Sequence, residues 1–155
     1  MRSKIRKALP ADVKGIYDLI NRYAKKKGDF LLPRSLSSIY EGMRDYFVCV
    51  SPKSKVIGCV ALHMVWEGLA ELKALAVSRD YHGRGIGTRL VEAAMDEAIM
   101  LKLSKVFTLT LKPGFFIKRG FRPVDKMELP HKVWGECINC SFFPDCEEVS
   151  LVAEI

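Results

Sequence analysis

Apolar residues recur at helical spacing between Ala11 and Lys27, at Val13, Ile16, Tyr17, Leu19, Ile20 and Tyr23, and predict an amphipathic helix there. Asp12 stands near its start, where negative charge suits the helix dipole, and Gly28 follows the Lys25-Lys26-Lys27 run as a stop. Lys4 to Leu9 reads as a short strand, and Phe30 to Ser35 as a loop. A second, shorter helix is predicted from Ser35 to Tyr46, with Leu36, Ile39, Tyr40 and Met43 inward. The pattern then shortens to strands. Phe47–Val50 and Lys55–Val65 flank the turn signal Ser51-Pro52-Lys53-Ser54, and Glu67-Gly68 precedes a third strand, Leu69–Val77. The longest helix runs from Thr88 to Leu103, with Leu90, Val91, Ala94, Ala98, Ile99 and Leu101 as its apolar positions. Val106–Leu111 reads as a buried strand, and Pro113–Gly120 as a short helix with Pro in its first turn and Gly at its stop. Phe121–Leu129 and Val149–Ile155 complete the pattern as two strands. The order β-α-α-β-β-β-α-β-α-β-β predicts one α/β domain over residues 1–155 with a mixed sheet. It ends in a Cys-containing segment over residues 131–155.

Composition narrows the class. The chain has 155 residues, 49% of them apolar, which is enough for one domain with its own core. No apolar run approaches the ~20 residues of a membrane-crossing helix. Met1-Arg-Ser-Lys-Ile-Arg-Lys7 lacks the apolar stretch of a secretory leader, so a cytoplasmic protein is expected. A net charge of +7 suits nucleic acid, an anionic cofactor or an acidic substrate. Basic and aromatic residues are not interleaved and no nucleic-acid motif is legible, so neither a nucleic acid nor a membrane is expected as partner. Five cysteines are an odd number and argue against a complete disulfide framework. Cys137, Cys140 and Cys146 with His131 offer metal-ligand chemistry, but their spacing fits no standard zinc finger. Redox response and plain packing are the alternatives there, and no metal is expected to be required. Cys49 and Cys59, in apolar strand contexts, read as small core residues.

The chemistry concentrates in Glu71 to Leu90. An apolar strand leads into a basic turn with alternating glycines, Gly83, Gly85 and Gly87, and then a helix. Glycines let a ligand approach the backbone, and the helix N-terminus offers unpaired N–H groups to an anion such as pyrophosphate. Arg84 and Arg89 add positive charge. A P-loop is excluded by the missing Gly-Lys-Ser/Thr ending, and Gly-x-Gly-x-Gly differs from the dinucleotide fingerprint.

His82-Gly83-Arg84-Gly85-Ile86-Gly87 instead resembles the acetyl-CoA-binding segment of the GNAT N-acetyltransferases, Gln/Arg-x-x-Gly-x-Gly/Ala. His82 departs from the usual Gln or Arg. The element order is also that of the GNAT fold, a three-layer α/β/α arrangement. The resemblance implies acetyl-CoA as co-substrate, held by His82, Gly83, Arg84, Gly85, Ile86, Gly87 and Thr88, with the backbone of Leu75 and Val77 pairing the pantetheine arm. Phe115-Phe-Ile-Lys-Arg-Gly-Phe121 resembles the family's Phe-Tyr-x-x-x-Gly-Phe segment beside the CoA thiol. Phe116 stands where a Tyr often protonates the departing thiolate and cannot do so.

Glu71 is the candidate general base, because an amine must lose a proton before it attacks a thioester. Thr110, on the next strand and expected close to Glu71, reads either as plain β propensity or, as a resemblance to the N-acetylglutamate synthases implies, as a proton donor. Over nearly the whole chain the sequence resembles the short bacterial N-acetylglutamate synthases, through Ile5–Asp12, Phe30–Ser35, Ala70–Val77 and Glu128–Cys137. That resemblance implies transfer of acetyl to the α-amine of L-glutamate by direct attack, as the first step of arginine biosynthesis, and a homodimer. It implies Arg34 as the substrate-carboxylate ligand, since a guanidinium pairs bidentately with carboxylate. Lys73 and Lys132 are further candidates for an anionic substrate, and each also reads as a surface cation. Two alternatives stay open: another acceptor (glutamine, another amino acid, a protein amine), or a non-catalytic CoA-sensing or nucleic-acid-binding module.

Overall fold

The computed structural model describes residues 3–23, 34–125, 128–129 and 149–155. Strand β1 (Lys4–Lys7) leads through a 3-10 turn, Pro10–Asp12, into α1 (Val13–Tyr23). Helix α2 (Leu36–Glu41) and a 3-10 turn, Met43–Asp45, precede β2 (Tyr46–Val50), β3 (Val56–Trp66) and β4 (Leu69–Val77). The turn Arg79–Tyr81 and the glycine loop open into α3 (Ile86–Met100). Then follow β5 (Lys105–Thr110), α4 (Pro113–Ile117), β6 (Arg122–Pro123) and β7 (Val149–Glu154). Among the described residues the strands form one seven-stranded sheet in the order β1-β2-β3-β4-β5-β7-β6. The β4–β5 pair is parallel, joined by the α3 crossover, and the other pairs are antiparallel.

The two faces of the sheet bury different helices. On one, Val13, Ile16, Leu19 and Ile20 of α1 and Ile39 of α2 pack on Val48, Cys59, Ala61 and Ala76. On the other, Leu90, Val91, Ala94 and Ala98 of α3 pack on Ile57, Val60, Leu62 and Leu72. A Cβ on Gly58 would lie 3.0 Å from Leu90 Cδ1 and 3.1 Å from Ile86 Cγ2, so glycine lets α3 sit close on β3 and fixes where its N-terminus lies.

The predicted elements are all present where they can be seen, but several ends differ for local reasons. α1 starts at Val13, and Asp12 belongs to the turn before it, where its carboxylate accepts the Leu9 N–H at 2.8 Å. The same carboxylate takes the Arg6 guanidinium at 2.6 and 3.1 Å, tying β1 to α1. The expected end of α1, Ala24–Gly28, lies outside the described residues. α2 is capped by Ser35, whose hydroxyl accepts the Ser38 N–H at 3.1 Å, and it ends before Gly42. α3 begins at Ile86 and stops at Met100, with Lys102 in a left-handed conformation just past its end. Among the described residues the strand predicted over Phe121–Leu129 is reduced to Arg122–Pro123. Proline has no N–H to continue a ladder, and β6 accordingly sits at the sheet edge.

Candidate active site

The site begins where two parallel strands part. β4 and β5 pair through Leu69↔Lys105, Ala70↔Val106 and Glu71↔Phe107, and no further. At the fork the Thr108 hydroxyl donates to the Leu72 carbonyl at 2.8 Å and satisfies an acceptor that the lost ladder leaves behind. Beyond it the strands enclose a cleft of about 620 Å³. That is the size range of small-molecule and cofactor pockets.

β4 also bulges. Ala61 pairs with Lys73 and Cys59 with Ala76, so β4 carries one residue more than β3 over this stretch. The extra residue shows in Ala74, whose φ is +57°, and whose carbonyl accepts the Cys59 thiol at 3.4 Å. The bulge changes which residues face which side. Ala70 and Leu72, then Leu75 and Val77, pack on the α3 side, whereas Ala74 and Ala76 pack under α1. By alternation Glu71 and Lys73 also belong to the α1 side. Above the fork no ladder joins β4 to β5, and Leu72, Lys73, Ala74, Leu75, Ala76 and Val77 line the cleft.

On the α3 side the cleft meets the glycine loop. Gly85 caps α3 with φ +76°, and the helix has no side-chain cap. A Cβ at Gly83 or Gly85 would meet nothing within 4 Å, so both glycines face open space. This fits a pyrophosphate seated on the first-turn N–H groups. Leu75, Val77, His82, Gly83, Gly85, Ile86, Gly87, Thr88 and Phe116 all line the cleft. The His82 imidazole bonds the Val77 carbonyl at 2.7 Å, which requires Nε2–H as donor and pins the loop to the end of β4. The Thr88 hydroxyl accepts from Arg119, leaving its own proton to donate to an anion. Arg119 stacks 3.7 Å above the Phe115 ring and holds α4 against the start of α3.

The two loop arginines do otherwise than expected. Arg84 stacks over Tyr81 at 5.0 Å and is not among the cleft-lining residues. Arg89 donates to the Ser3 carbonyl at 3.2 Å and anchors the N-terminal segment. Phe116 is buried edge-on between Phe115 and Phe121 and has no proton to give. Thr110 lines the cleft, and its oxygen accepts the Lys112 N–H at 2.9 Å, which leaves its O–H to donate.

Glu71 and Thr110 are not brought together. Glu71 is in register with Phe107, and Thr110 lies three residues further along β5 on the α3 side, alternating with Phe107 and Leu109. Glu71 is 8% exposed and stands beside the fork, not in the lining of the cleft. Lys73 does line it. Arg34 stands on the α1 side, near enough for its charge to act on Cys59. Burial dominates that thiol and pushes it up to about 12, so it is no nucleophile near neutral pH. Lys132 and the His131/Cys137/Cys140/Cys146 group lie outside the described residues. Among the described residues no three His, Cys, Asp or Glu side chains converge on a metal position.

Several residues of the site were not foreseen. The Asn21 side chain clamps the Arg34 peptide from both sides, accepting its N–H at 3.0 Å and donating to its carbonyl at 2.9 Å. An Asn inside an amphipathic helix, where it is a poor helix former, was the available signal. Tyr23 lines the cleft and accepts the Arg79 N–H at 3.0 Å. In the sequence it reads as one more apolar position of α1. Tyr81, Thr108 and Lys112 also line the cleft, and nothing in their spacing distinguishes them.

A forked β4–β5 pair with an uncapped glycine-started helix at its mouth is the architecture of a CoA-dependent acyltransferase. Residues 13–121 match the acetyltransferase (GNAT) family, and the chain belongs to that family. It is similar to an uncharacterized N-acetyltransferase of Chlorobaculum tepidum, 37% identical over 96% of this chain and 94% of that one. It is also similar to the amino-acid acetyltransferase of Mycobacterium tuberculosis, 34% identical over 87% of this chain and 77% of that one. Among solved structures it resembles the N-acetylglutamate synthase of Neisseria gonorrhoeae complexed with coenzyme A and N-acetyl-glutamate. That likeness has a TM-score of 0.87 at 25% identity and covers 99% of this chain but 35% of the gonococcal one. No helix among the described residues is long and apolar enough to cross a membrane.

Proposed function

We propose that this acetyltransferase transfers the acetyl group of acetyl-CoA to the α-amine of L-glutamate, as a cytoplasmic enzyme opening arginine biosynthesis. The observation that carries the reading is the charge arrangement on the α1 side of the β4 bulge. There one buried carboxylate, Glu71, and one cation of the cleft lining, Lys73, alternate onto the same face of β4, and Arg34 stands on that side, near enough for its charge to act on Cys59. An α-amino acid with a second carboxylate offers one amine to deprotonate and two anions to hold. The similarity to amino-acid acetyltransferases supports the same acceptor class.

The residues divide the work as follows. The N–H groups at the start of α3 and the Thr88 hydroxyl hold the pyrophosphate. The β5-facing peptide groups of β4 hold the pantetheine arm, and one N–H there stabilises charge developing on the acetyl oxygen. Arg34 and Lys73 orient the carboxylates of the acceptor. Glu71 takes the ammonium proton through a water, which its position beside the cleft requires. The amine nitrogen then bonds to the acetyl carbon, the carbon–sulfur bond breaks with its electron pair on sulfur, and the second nitrogen proton goes to the thiolate, giving the amide and CoA thiol. The Thr110 hydroxyl donates a hydrogen bond to the departing sulfur, a role Phe116 leaves vacant. Cys59, buried and held as a thiol, offers no nucleophile, which supports direct attack.

Steady-state kinetics test this division. Glu71→Gln is expected to lower kcat about 100-fold with little change in either KM, the size of a general-base contribution. Arg34→Ala is expected to raise KM for glutamate about tenfold or more, the worth of a charged hydrogen bond, and Arg34→Lys is expected not to restore it. An Arg34→Ala enzyme with altered KM for acetyl-CoA alone would remove Arg34 from the acceptor site.

A further inference from the structure

A buried base that accepts a proton at each turnover must also release it. Glu71 is 8% exposed and packed beside the fork, so its route to solvent is set by its neighbours. Its register partner across the β3–β4 ladder is His63. The ladder is regular here, with Ala61↔Lys73, Leu62↔Leu72, His63↔Glu71 and Met64↔Ala70 in step. Directly opposed antiparallel residues project to the same face, with Cβ atoms about 5 Å apart. His63 therefore stands on the α1 side next to the Glu71 carboxylate, with Lys73 as its diagonal neighbour.

His63 is itself held. Its Nδ1 lies 2.7 Å from Asp45 Oδ2, in the 3-10 turn that ends the α2 segment. Carboxylate accepts, so Nδ1 carries the hydrogen and donates. In the neutral ring Nε2 is then the acceptor, because the bond at one ring nitrogen fixes the role of the other. The His63 side chain is 47% exposed and that of Asp45 28%. Two groups run from buried to exposed in the order a proton leaving the site would meet them, Glu71 and then His63, with solvent beyond.

We propose that His63, oriented by Asp45, is the outlet through which Glu71 returns the amine proton to solvent. The proton taken from the substrate ammonium by Glu71 passes to His63 Nε2, directly or by one water. It leaves from the ring to a buffer base, restoring both groups. His63 and Asp45 are thus positioning residues that act through Glu71, and the inference rests on Glu71 being the base.

The test follows thiol release by the full chain with acetyl-CoA and L-glutamate in weak buffer, with and without added imidazole, for wild type, His63→Gln, Asp45→Asn and Glu71→Gln. His63→Gln is expected to lose about tenfold in kcat in weak buffer with KM values unchanged, and imidazole, a mobile proton carrier, to return it to within about twofold of wild type. Asp45→Asn is expected to show a smaller loss, rescued in the same way. A His63→Gln enzyme at the wild-type rate in weak buffer, beside an inactive Glu71→Gln, overturns the outlet and leaves the base standing. A slow His63→Gln that imidazole does not rescue also overturns it, since a structural defect is indifferent to the carrier. A fully active Glu71→Gln overturns the base and the outlet with it.

Discussion

Replacing Gly85 with alanine separates what the glycine loop does for the fold from what it does for the cofactor. Gly85 is the first cap of α3 and has φ +76°, a conformation that costs an L-residue about 1–2 kcal/mol. Alanine also narrows the unfolded ensemble, which offsets about 0.4–1 kcal/mol. The net expectation is a loss of about 1 kcal/mol, or a melting temperature about 2–4 °C lower for a chain of this length. No packing clash adds to this, because nothing lies within 4 Å of the new Cβ. The space it would enter is the mouth of the cleft. KM for acetyl-CoA is therefore expected to rise about tenfold, equivalent to the weakening of one hydrogen bond to a charged group. Gly87→Ala is the internal control. Its Cβ would rest at 3.6 Å from Phe115 and 3.8 Å from Val77, ordinary contact distances, inside a helix where alanine is favoured. It is expected to raise the melting temperature and leave KM near the wild-type value. Thermal melts of the free proteins and acetyl-CoA titrations at saturating acceptor read both quantities. The reasoning fails if Gly85→Ala melts at or above wild type, or if Gly87→Ala weakens acetyl-CoA as much as Gly85→Ala does.

Three further outcomes follow from single contacts. Burial raises the Asp12 carboxyl, but the Arg6 hydrogen bonds, the Leu9 N–H and the Arg6 charge together bring it below its ordinary 3.8. Its stabilisation is thus present above about 3.8 and is lost as pH falls through the lower folded value. Asp12→Asn is expected to cost about 1–2 kcal/mol at neutral pH, and the gap to wild type in denaturant melts to close in acid. Thr108→Val removes the hydroxyl that satisfies the buried Leu72 carbonyl and is expected to cost about 1–3 kcal/mol, read by the same melts. Cys59→Ala is expected to keep kcat within about a factor of two, because a thiol held as S–H is neither base nor nucleophile. Loss of turnover in that variant, with the fold intact by circular dichroism, would point instead to an acyl-cysteine route.

Much of this site was readable before the fold was seen, and the reasons are physical. The cofactor loop announces itself because glycine, helix start and strand end each leave a local mark, and Gly83, Gly85, Ile86, Gly87 and Thr88 all line the cleft. What the sequence hides is relative placement. Leu69–Val77 reads as one unbroken strand, yet Ala74 bulges and the strand parts from β5 after Glu71. Neither event has a local signature, because alanine in an apolar run gives no sign of a left-handed φ. That gap explains the mistaken pairing of Thr110 with Glu71, which lie on opposite faces. It also explains why Thr108, the fork residue, went unnoticed beside Thr110. His63 was invisible for the same reason, since only the β3–β4 register sets it against Glu71. Arg84 and Arg89 show the same gap from the other side. Charge near a motif was read as charge in the site, but one stacks on Tyr81 and the other holds Ser3.

The most direct measurement is thiol release from acetyl-CoA with purified protein offered L-glutamate, L-glutamine, lysine, spermidine and a basic peptide in parallel. The account predicts turnover with L-glutamate, with kcat/KM at least about tenfold above any other acceptor, as expected of a site built to pair a second carboxylate. Preferred turnover of spermidine or the basic peptide would contradict it, because those acceptors carry the same charge as Arg34 and Lys73.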